Sequence, residues 1–380
     1  MRVLQVTSDW KWTGPADPML RLALALRERG DAVALACPAP PPGASRSLDR
    51  EARARGMAPS VHLERARGLR PLRDRADIAQ LRRLAAEHRA ELVHTWHTRD
   101  HLLALRAFGW LRRDAVRVVR SLRRAETLAA TPWNRGLLGP GTDGLLCVSP
   151  GVARRNARLR GGRPIVGAFG AVDLDRFAPR ARDPRVREAL GLKPEHRVVG
   201  IVARAQRHRR FDLLLEAACW LFEADPAARL LIVGRGTRRA EVAERPAERL
   251  GIADRVVFAG YRGEDYAEVL RAIDVFTFLV PGSDGTCRAL LEAAACGLPA
   301  VTTRRGALPE IVVDGETGIL VDETPAALAA AWRRLLEDPA RRAAFGAAAG
   351  RRARALFAPE RLADAATALY RAALASDARR

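Results

Sequence analysis

A chain of 380 residues is longer than one compact core usually organises, so two domains are expected. Its 48% hydrophobic and 29% charged residues are those of a soluble globular protein. The net charge of +21 is uneven: residues 1–180 hold 33 Lys+Arg against 17 Asp+Glu, and residues 181–380 hold 32 against 27.

No apolar run approaches the ~18–20 residues of a membrane span. The basic surplus of the first part suits an anionic lipid surface or an acidic glycan. No zinc finger, RNP-type aromatic motif or helix-turn-helix pattern supports nucleic acid as a partner. The chain enters a strand at once, so no signal peptide is expected. Cys37, Cys147, Cys219, Cys287 and Cys296 form no Cys-x-x-Cys pair. Free thiols in a reducing cytoplasm, and no metal site, are therefore expected.

Val3 to Val6 is the first predicted strand, followed by a loop from Ser8 to Pro15. The amphipathic pattern predicts a helix from Pro18 to Arg29, with Leu20, Ala23 and Leu24 on one face. Gly30 ends it, and Ala32 to Ala36 is a second strand. The loop holds Gly14 together with Trp10 and Trp12, indoles that suit a sugar, a membrane interface or plain packing. Residues 38–75 read as an irregular excursion with a basic run at Arg65, Arg67, Arg70, Arg73 and Arg75. A helix follows from Asp77 to His88, then a strand from Leu92 to Thr95. Its end carries Trp96, His97, Arg99, Asp100 and His101. Histidines there titrate near neutral pH and suit a cleft; loop histidines without a role are the alternative. Val116 to Arg120, Gly144 to Ser149 and Pro164 to Val166 are further strands, with Ser149 capping a helix opened by Pro150. Gly170 to Phe177 leads into a Pro- and Arg-rich linker.

Arg197 to Val202 restarts the strand–loop–helix pattern. Its loop crowds Arg204, Arg207, Arg209 and Arg210 ahead of a helix from Phe211, a placement suited to a diphosphate. Strands follow at Arg229 to Val233, Arg255 to Gly260 and Asp274 to Leu279; Gly234 and Tyr261 stand just beyond the first two. The run from Ser283 to Pro299 reads as a tight loop entering a helix from Cys287 to Cys296. Thr286 is its expected N-cap, Gly297 suits the left-handed C′ position and Pro299 forbids continuation. Asp284 and Glu292 flank the helix start. Glu292 sits among Leu290, Leu291, Ala293, Ala294 and Ala295, an apolar setting for an acid; a surface pair with Arg288 is the alternative. A strand from Pro299, a turn and strand at Asp314 to Leu320, and helices from Pro325, Pro339 and Pro359 complete the chain. Such sheets bind ligands beyond the carboxyl ends of their strands.

The 283–299 run resembles the signature of the group 1 (family 4) retaining glycosyltransferases: two acids eight positions apart, with an Ala-rich helix ending Gly-x-Pro. That family usually has Glu at both acids and Gly-Phe-Gly after the first. Here Asp284 is one methylene shorter, and Cys287 replaces the second loop glycine. Arg204 matches a family arginine, while Arg209 and Arg210 stand where the family has Lys-Gly. Gly170-Ala171-Val172-Asp173 resembles its Asn-Gly-Val-Asp hinge, and His94-Thr95-Trp96 its acceptor-domain motif.

The resemblance implies an α/β fold of two facing Rossmann-like domains (GT-B), with parallel sheets and an interdomain cleft. The expected boundaries are an acceptor domain at 1–178, a nucleotide-sugar domain at 179–358, and a helix at 359–380 crossing back. It implies retaining transfer from a nucleoside-diphosphate sugar to a glycan or lipid-linked acceptor, as in cell-envelope polysaccharide or lipopolysaccharide synthesis. The enzyme would be cytoplasmic or peripheral at the membrane, with the sugar nucleotide as co-substrate and no other cofactor. Implied catalytic residues are His94 and Asp284. Implied donor contacts are Gly14, Arg204, Arg209, Gly234, Tyr261, Asp284, Gly285, Thr286, Cys287 and Glu292. Implied acceptor contacts are Trp12, Trp96, His97 and Arg120. The rival readings are a degenerate, non-catalytic binding protein and a nucleotide-sugar epimerase.

Overall fold

Thirteen strands in two parallel sheets frame the computed structural model, which describes residues 1–12, 16–66, 70–109, 116–282 and 285–376. The chain divides into two compact units.

The first unit comprises Met1–Ala171, Gly285 and Thr286, and the chain from Pro359. Its strands are β1 (Arg2–Val6), β2 (Ala32–Pro38), β3 (Val61–Leu63), β4 (Leu92–Thr95), β5 (Arg117–Leu122), β6 (Gly144–Cys147) and β7 (Ile165–Gly167). They pair in the order β3-β2-β1-β4-β5-β6-β7, all parallel. The order reverses between β1 and β4, so the loops leaving these strands diverge and open a crevice at their carboxyl ends.

The helix Pro359–Ala375 packs on this sheet and on the helix Ala16–Glu28. Leu362, Ala363, Ala366, Leu369, Tyr370 and Ala373 recur at helical spacing and are all buried. Burying each of the large ones contributes about 1.5–3 kcal/mol. Gly144 permits the approach, since a Cβ there would lie 3.1 Å from Leu369 Cδ1.

The excursion expected at 38–75 is more regular than its composition suggests. It contains the helix Leu48–Ala54, capped by Ser47 Oγ accepting from Arg50 N, and the edge strand β3. The following helix spans Pro71–His88 and so begins earlier than expected. Ser149 caps its helix as expected, accepting from Val152 N at 3.2 Å. Two short helices without a clear period, Thr98–Ala104 and Pro132–Leu138, were not legible in the sequence.

The second unit comprises Val172–Gly282 and Cys287–Ala358. Its strands are β8 (Arg197–Val202), β9 (Ala228–Val233), β10 (Val256–Gly260), β11 (Val275–Phe278), β12 (Ala300–Thr303) and β13 (Gly318–Val321). They run parallel in the order β10-β9-β8-β11-β12-β13, with the reversal between β8 and β11. The helices Phe211–Ala224 and Pro325–Leu336 pack together in its core, where Trp332 Nε1 donates to Thr277 Oγ1 at 2.8 Å. The helices Arg288–Ala295 and Pro339–Leu356 also pack together. Gly346 allows their contact: a Cβ there would sit 2.2 Å from Gly297 O. Among the described residues no helix is long and apolar enough to cross a membrane.

Candidate functional site

Two loops leave the strands that flank the reversal in the second sheet, one after β8 and one after β11. The β8 loop forms a single 3-10 turn, Arg207–Arg209, before the helix that starts at Phe211. Its four arginines fall into two kinds. Arg207 pairs with Glu241, and Arg210 pairs with Asp212 and with Glu323. Arg204 and Arg209 have no ion-pair partner among the described residues. Arg204 is exposed, whereas Arg209 is buried with its guanidinium 5.1 Å from the Phe278 ring at the end of β11. Burial lowers the Arg209 pKa below the usual arginine range, with the Cys287 thiol opposing that shift. A desolvated cation without a carboxylate is costly, and an anionic ligand would offset that cost.

The loop after β9 lies against this one. A Cβ on Gly234, whose φ is +135°, would meet Ala203 O at 2.2 Å. A Cβ on Gly236 would meet Ala205 O at 2.5 Å. Gly236 is therefore as constrained as Gly234, although only Gly234 was singled out from the sequence. Tyr261, just past β10, is 51% exposed, with the Arg235 guanidinium 4.8 Å from its ring centroid.

After β11 the chain enters the helix Arg288–Ala295. The expected N-cap is corrected: Cys287, not Thr286, occupies it, with φ 54° and ψ 39°. The helix is accordingly one residue shorter at each end than expected. Arg210, before the β8-side helix, is likewise left-handed, with φ 56° and ψ 44°. Both positions are those where the resembling family has glycine. The conformation explains that preference, because only glycine enters the region without a steric cost.

Glu292 is buried on this helix. Its Oε2 accepts from the Tyr266 hydroxyl at 2.9 Å, and its Oε1 lies 3.5 Å from Arg288 Nε. The pair with Arg288 offered as an alternative thus exists, but on a carboxylate that is buried rather than solvated. Burial first, and the Glu292 charge second, push the Tyr266 pKa well above the usual phenol range. Tyr266 packs edge-on against Phe177. Nothing in the sequence marked it, since it opens an ordinary short helix, Tyr266–Arg271. Gly14 and Asp284 lie outside the described residues. Gly285 and Thr286 belong with the first unit. There the Gly285 N–H donates to Arg123 O at 2.7 Å, and a Cβ on Gly285 would meet Ala125 N at 2.5 Å.

In the first unit, His94 is fully buried in β4. Its Nδ1 stands 2.7 Å from Tyr370 Oη and its Nε2 2.9 Å from Ser121 Oγ. Burial lowers its pKa to about 3, so the ring is neutral. With both nitrogens engaged inside the unit, the expected catalytic imidazole is placed as a core group that ties the last helix to the sheet. Trp96 is also largely buried, stacked 4.9 Å from His94, and donates through Nε1 to Gln5 Oε1 at 2.7 Å. It still lines a small hollow together with Ser121, Arg123, Phe169, Thr286 and Leu362.

His97 lies at the β1/β4 reversal, half-buried, with Nδ1 3.0 Å from Thr7 Oγ1. Asp100 accepts from the backbone N–H groups of Trp96 and His97 and fixes this turn. Arg120 bonds His101 Nδ1 at 2.7 Å and Thr98 Oγ1 at 3.2 Å. Trp12 packs against the core of this unit, under the Arg55 guanidinium.

Two family profiles match the chain: Glycosyltransferase Family 4 over residues 18–176, and Glycosyl transferases group 1 over residues 196–338. The chain is 40% identical over 210 residues to a D-inositol 3-phosphate glycosyltransferase of Rhodococcus opacus, covering 53% of this chain and 46% of that one. It thus spans about half the length of that relative. It is 35% identical over 289 residues to a GDP-mannose-dependent alpha-(1-6)-phosphatidylinositol monomannoside mannosyltransferase of Mycolicibacterium smegmatis, covering 71% of this chain and 73% of that one. In fold it is similar to a Rickettsia africae glycosyltransferase, with TM-score 0.81, 15% identity, and 98% of each chain covered. It is also similar to Anabaena Alr3699/HepE in complex with UDP, with TM-score 0.79, 18% identity, 97% of this chain and 99% of that one covered.

Proposed function

Because this chain belongs to the group 1 (family 4) glycosyltransferases, we propose that it moves a sugar from a nucleoside-diphosphate donor to an acceptor, with retention at the anomeric carbon. The observation that carries this reading is the split among the arginines of 204–210. Two are neutralised by acids of the chain, and Arg204 and Arg209 are left for an anion.

On this reading the diphosphate lies against Arg204, Arg209 and the amino end of the helix Arg288–Ala295. Its charge grows as the glycosidic bond breaks, and fixed donors at a poorly hydrated position stabilise that charge most. Glu292, oriented by Tyr266 and Arg288, accepts from the ribose hydroxyls. Asp284 accepts from hydroxyls of the donor sugar. Gly234 and Gly236 keep the neighbouring backbone close, and Tyr261 offers a ring face to the base. The first unit holds the acceptor, a glycan or lipid-linked molecule of the cell envelope, with His97 and Arg120 as its polar contacts.

The test is a panel of nucleotide sugars read by thermal shift, since a ligand bound only by the native state raises its melting temperature. GDP-mannose and UDP-glucose come first, being a guanine and a uracil donor. The stabilising donor is then incubated with candidate acceptors and the first-formed product examined by NMR. A retained anomeric configuration is expected; an inverted linkage, or no stabilisation by any donor, would contradict the reading.

A further inference from the structure

The two arginines that end the loop after β8 are neighbours with different surroundings. Arg209 is buried against the Phe278 ring, and its guanidinium makes no hydrogen bond among the described residues. Its direction is therefore set by that ring and by the backbone at 209–210. Arg210 follows in the left-handed region, with φ 56° and ψ 44°, a conformation that carries a steric cost for any side chain. It is the N-cap of the helix Phe211–Ala224, yet its side chain makes no capping bond. The cap itself does not hold the turn.

An acid from beyond β13 does. Arg210 Nη1 donates to Glu323 Oε2 at 2.8 Å. Glu323 is itself fixed: Arg305 donates to it twice, through Nε to Oε1 and through Nη2 to Oε2 at 2.6 Å. The next residue, Thr324, caps the helix Pro325–Leu336, its Oγ1 accepting from Ala327 N at 3.2 Å. That helix packs on Phe211–Ala224. Hydrogen bonding from Arg305 first, with the charges of Arg305 and Arg210, holds the Glu323 pKa below the usual carboxylate range. Asp212 also reaches Arg210, at 3.3 Å, but it is 61% exposed, whereas Glu323 is 26% exposed. The Glu323 contact is accordingly the less screened of the two.

We propose that Glu323 is a positioning residue for the donor site: it clamps Arg210 in the left-handed turn and so aims Arg209 at the diphosphate. A glycine at 210, as the family usually has, takes this turn without support. A strut that only joined two helices would stabilise the unit without touching ligand affinity. The inference rests on the reading that Arg209 meets the diphosphate of the donor.

The experiment is calorimetric titration of the intact protein with UDP, GDP, ADP and dTDP, beside the melting temperature of each variant. For the nucleotide that the parent binds, Glu323→Gln should raise Kd about fivefold. Arg210→Ala keeps the steric cost and loses the clamp, and should do the same. Arg210→Gly removes cost and clamp together, and should stay within about twofold of the parent. In the Arg210→Gly background, Glu323→Gln should change Kd less than about twofold, the non-additivity expected of residues that act through one another. Arg209→Ala is the reference for loss of the diphosphate contact and should weaken binding more than any of these. A Kd unmoved by Glu323→Gln, with Arg209→Ala weakened, overturns this inference alone. So does a Glu323→Gln loss that persists in the Arg210→Gly background, the mark of a strut between helices. Tighter binding by Glu323→Gln overturns it too, since Glu323 would then merely offset two cations. No nucleotide bound by the parent, or binding unaltered in Arg209→Ala, sinks the donor reading itself.

Discussion

The Tyr266 hydroxyl donates to Oε2 of Glu292 at 2.9 Å, while the Arg288 guanidinium stands 3.5 Å from the other oxygen. A carboxylate buried on an apolar helix face is thereby held in one rotamer. On the proposed reading it accepts from ribose hydroxyls, whose recognition needs a fixed acceptor rather than a mobile one.

Tyr266→Phe removes that hydroxyl and little volume. A hydrogen bond to a charged group contributes about 1.5–3 kcal/mol, part of which water recovers in the variant. The Kd for the nucleoside diphosphate should rise about tenfold, with kcat changed less than threefold. Calorimetric titration checks the first and initial rates the second. An unchanged Kd would show that Glu292 does not depend on Tyr266.

Cys287 adopts φ 54° at the helix start, a region that costs a non-glycine residue about 1–2 kcal/mol. Cys287→Gly relieves that cost but loses a buried thiol and adds unfolded-state freedom, so stability should stay within about 1 kcal/mol of the parent. Cys287→Val adds a β-branch to a left-handed residue and should destabilise by about 2 kcal/mol or more. Urea denaturation compares the two; equal midpoints would refute the left-handed assignment.

His94 is neutral and buried, with a pKa lowered to about 3. Below the unfolded value of about 6.5 the unfolded chain binds a proton that the native state refuses. The folded state therefore keeps its full stability above pH 6.5 and loses about 1.4 kcal/mol per pH unit below it, until the native pKa is reached. His101, also held neutral by burial, acts in the same direction. His94→Gln should flatten the fall of stability between pH 6 and 4 by close to one proton. Parallel profiles for parent and variant would mean that His94 is protonated in the native state.

Much of this organisation was legible because it rests on local rules. Alternating apolar strands and helices specified two parallel sheets, and the arginines beside β8 and the acid at Glu292 were visible as chemistry without packing partners. What stayed hidden depends on contacts across the chain. Arg207 is set apart from Arg204 and Arg209 by Glu241, and Arg210 by Glu323 as well as the nearby Asp212; the two glutamates lie far along the sequence. His94 looked like a catalytic imidazole until Tyr370 and Ser121 closed over both nitrogens. The cap at Cys287 was misplaced because Thr is the better capping residue by composition, whereas the backbone turns left-handed one position later.

The central claim is that an anionic donor occupies the β8/β11 reversal of the second unit through the arginines that the chain leaves unpaired. The most direct measurement is donor turnover by Arg209→Ala beside Arg207→Ala. The account predicts a loss of about 10²–10³, roughly 3–4 kcal/mol, for Arg209→Ala, much of it restored by Arg209→Lys. It predicts a change of less than about threefold for Arg207→Ala, whose ion pair is exposed. Equal activity of Arg209→Ala and the parent, at unchanged melting temperature, would place the donor elsewhere and contradict the account.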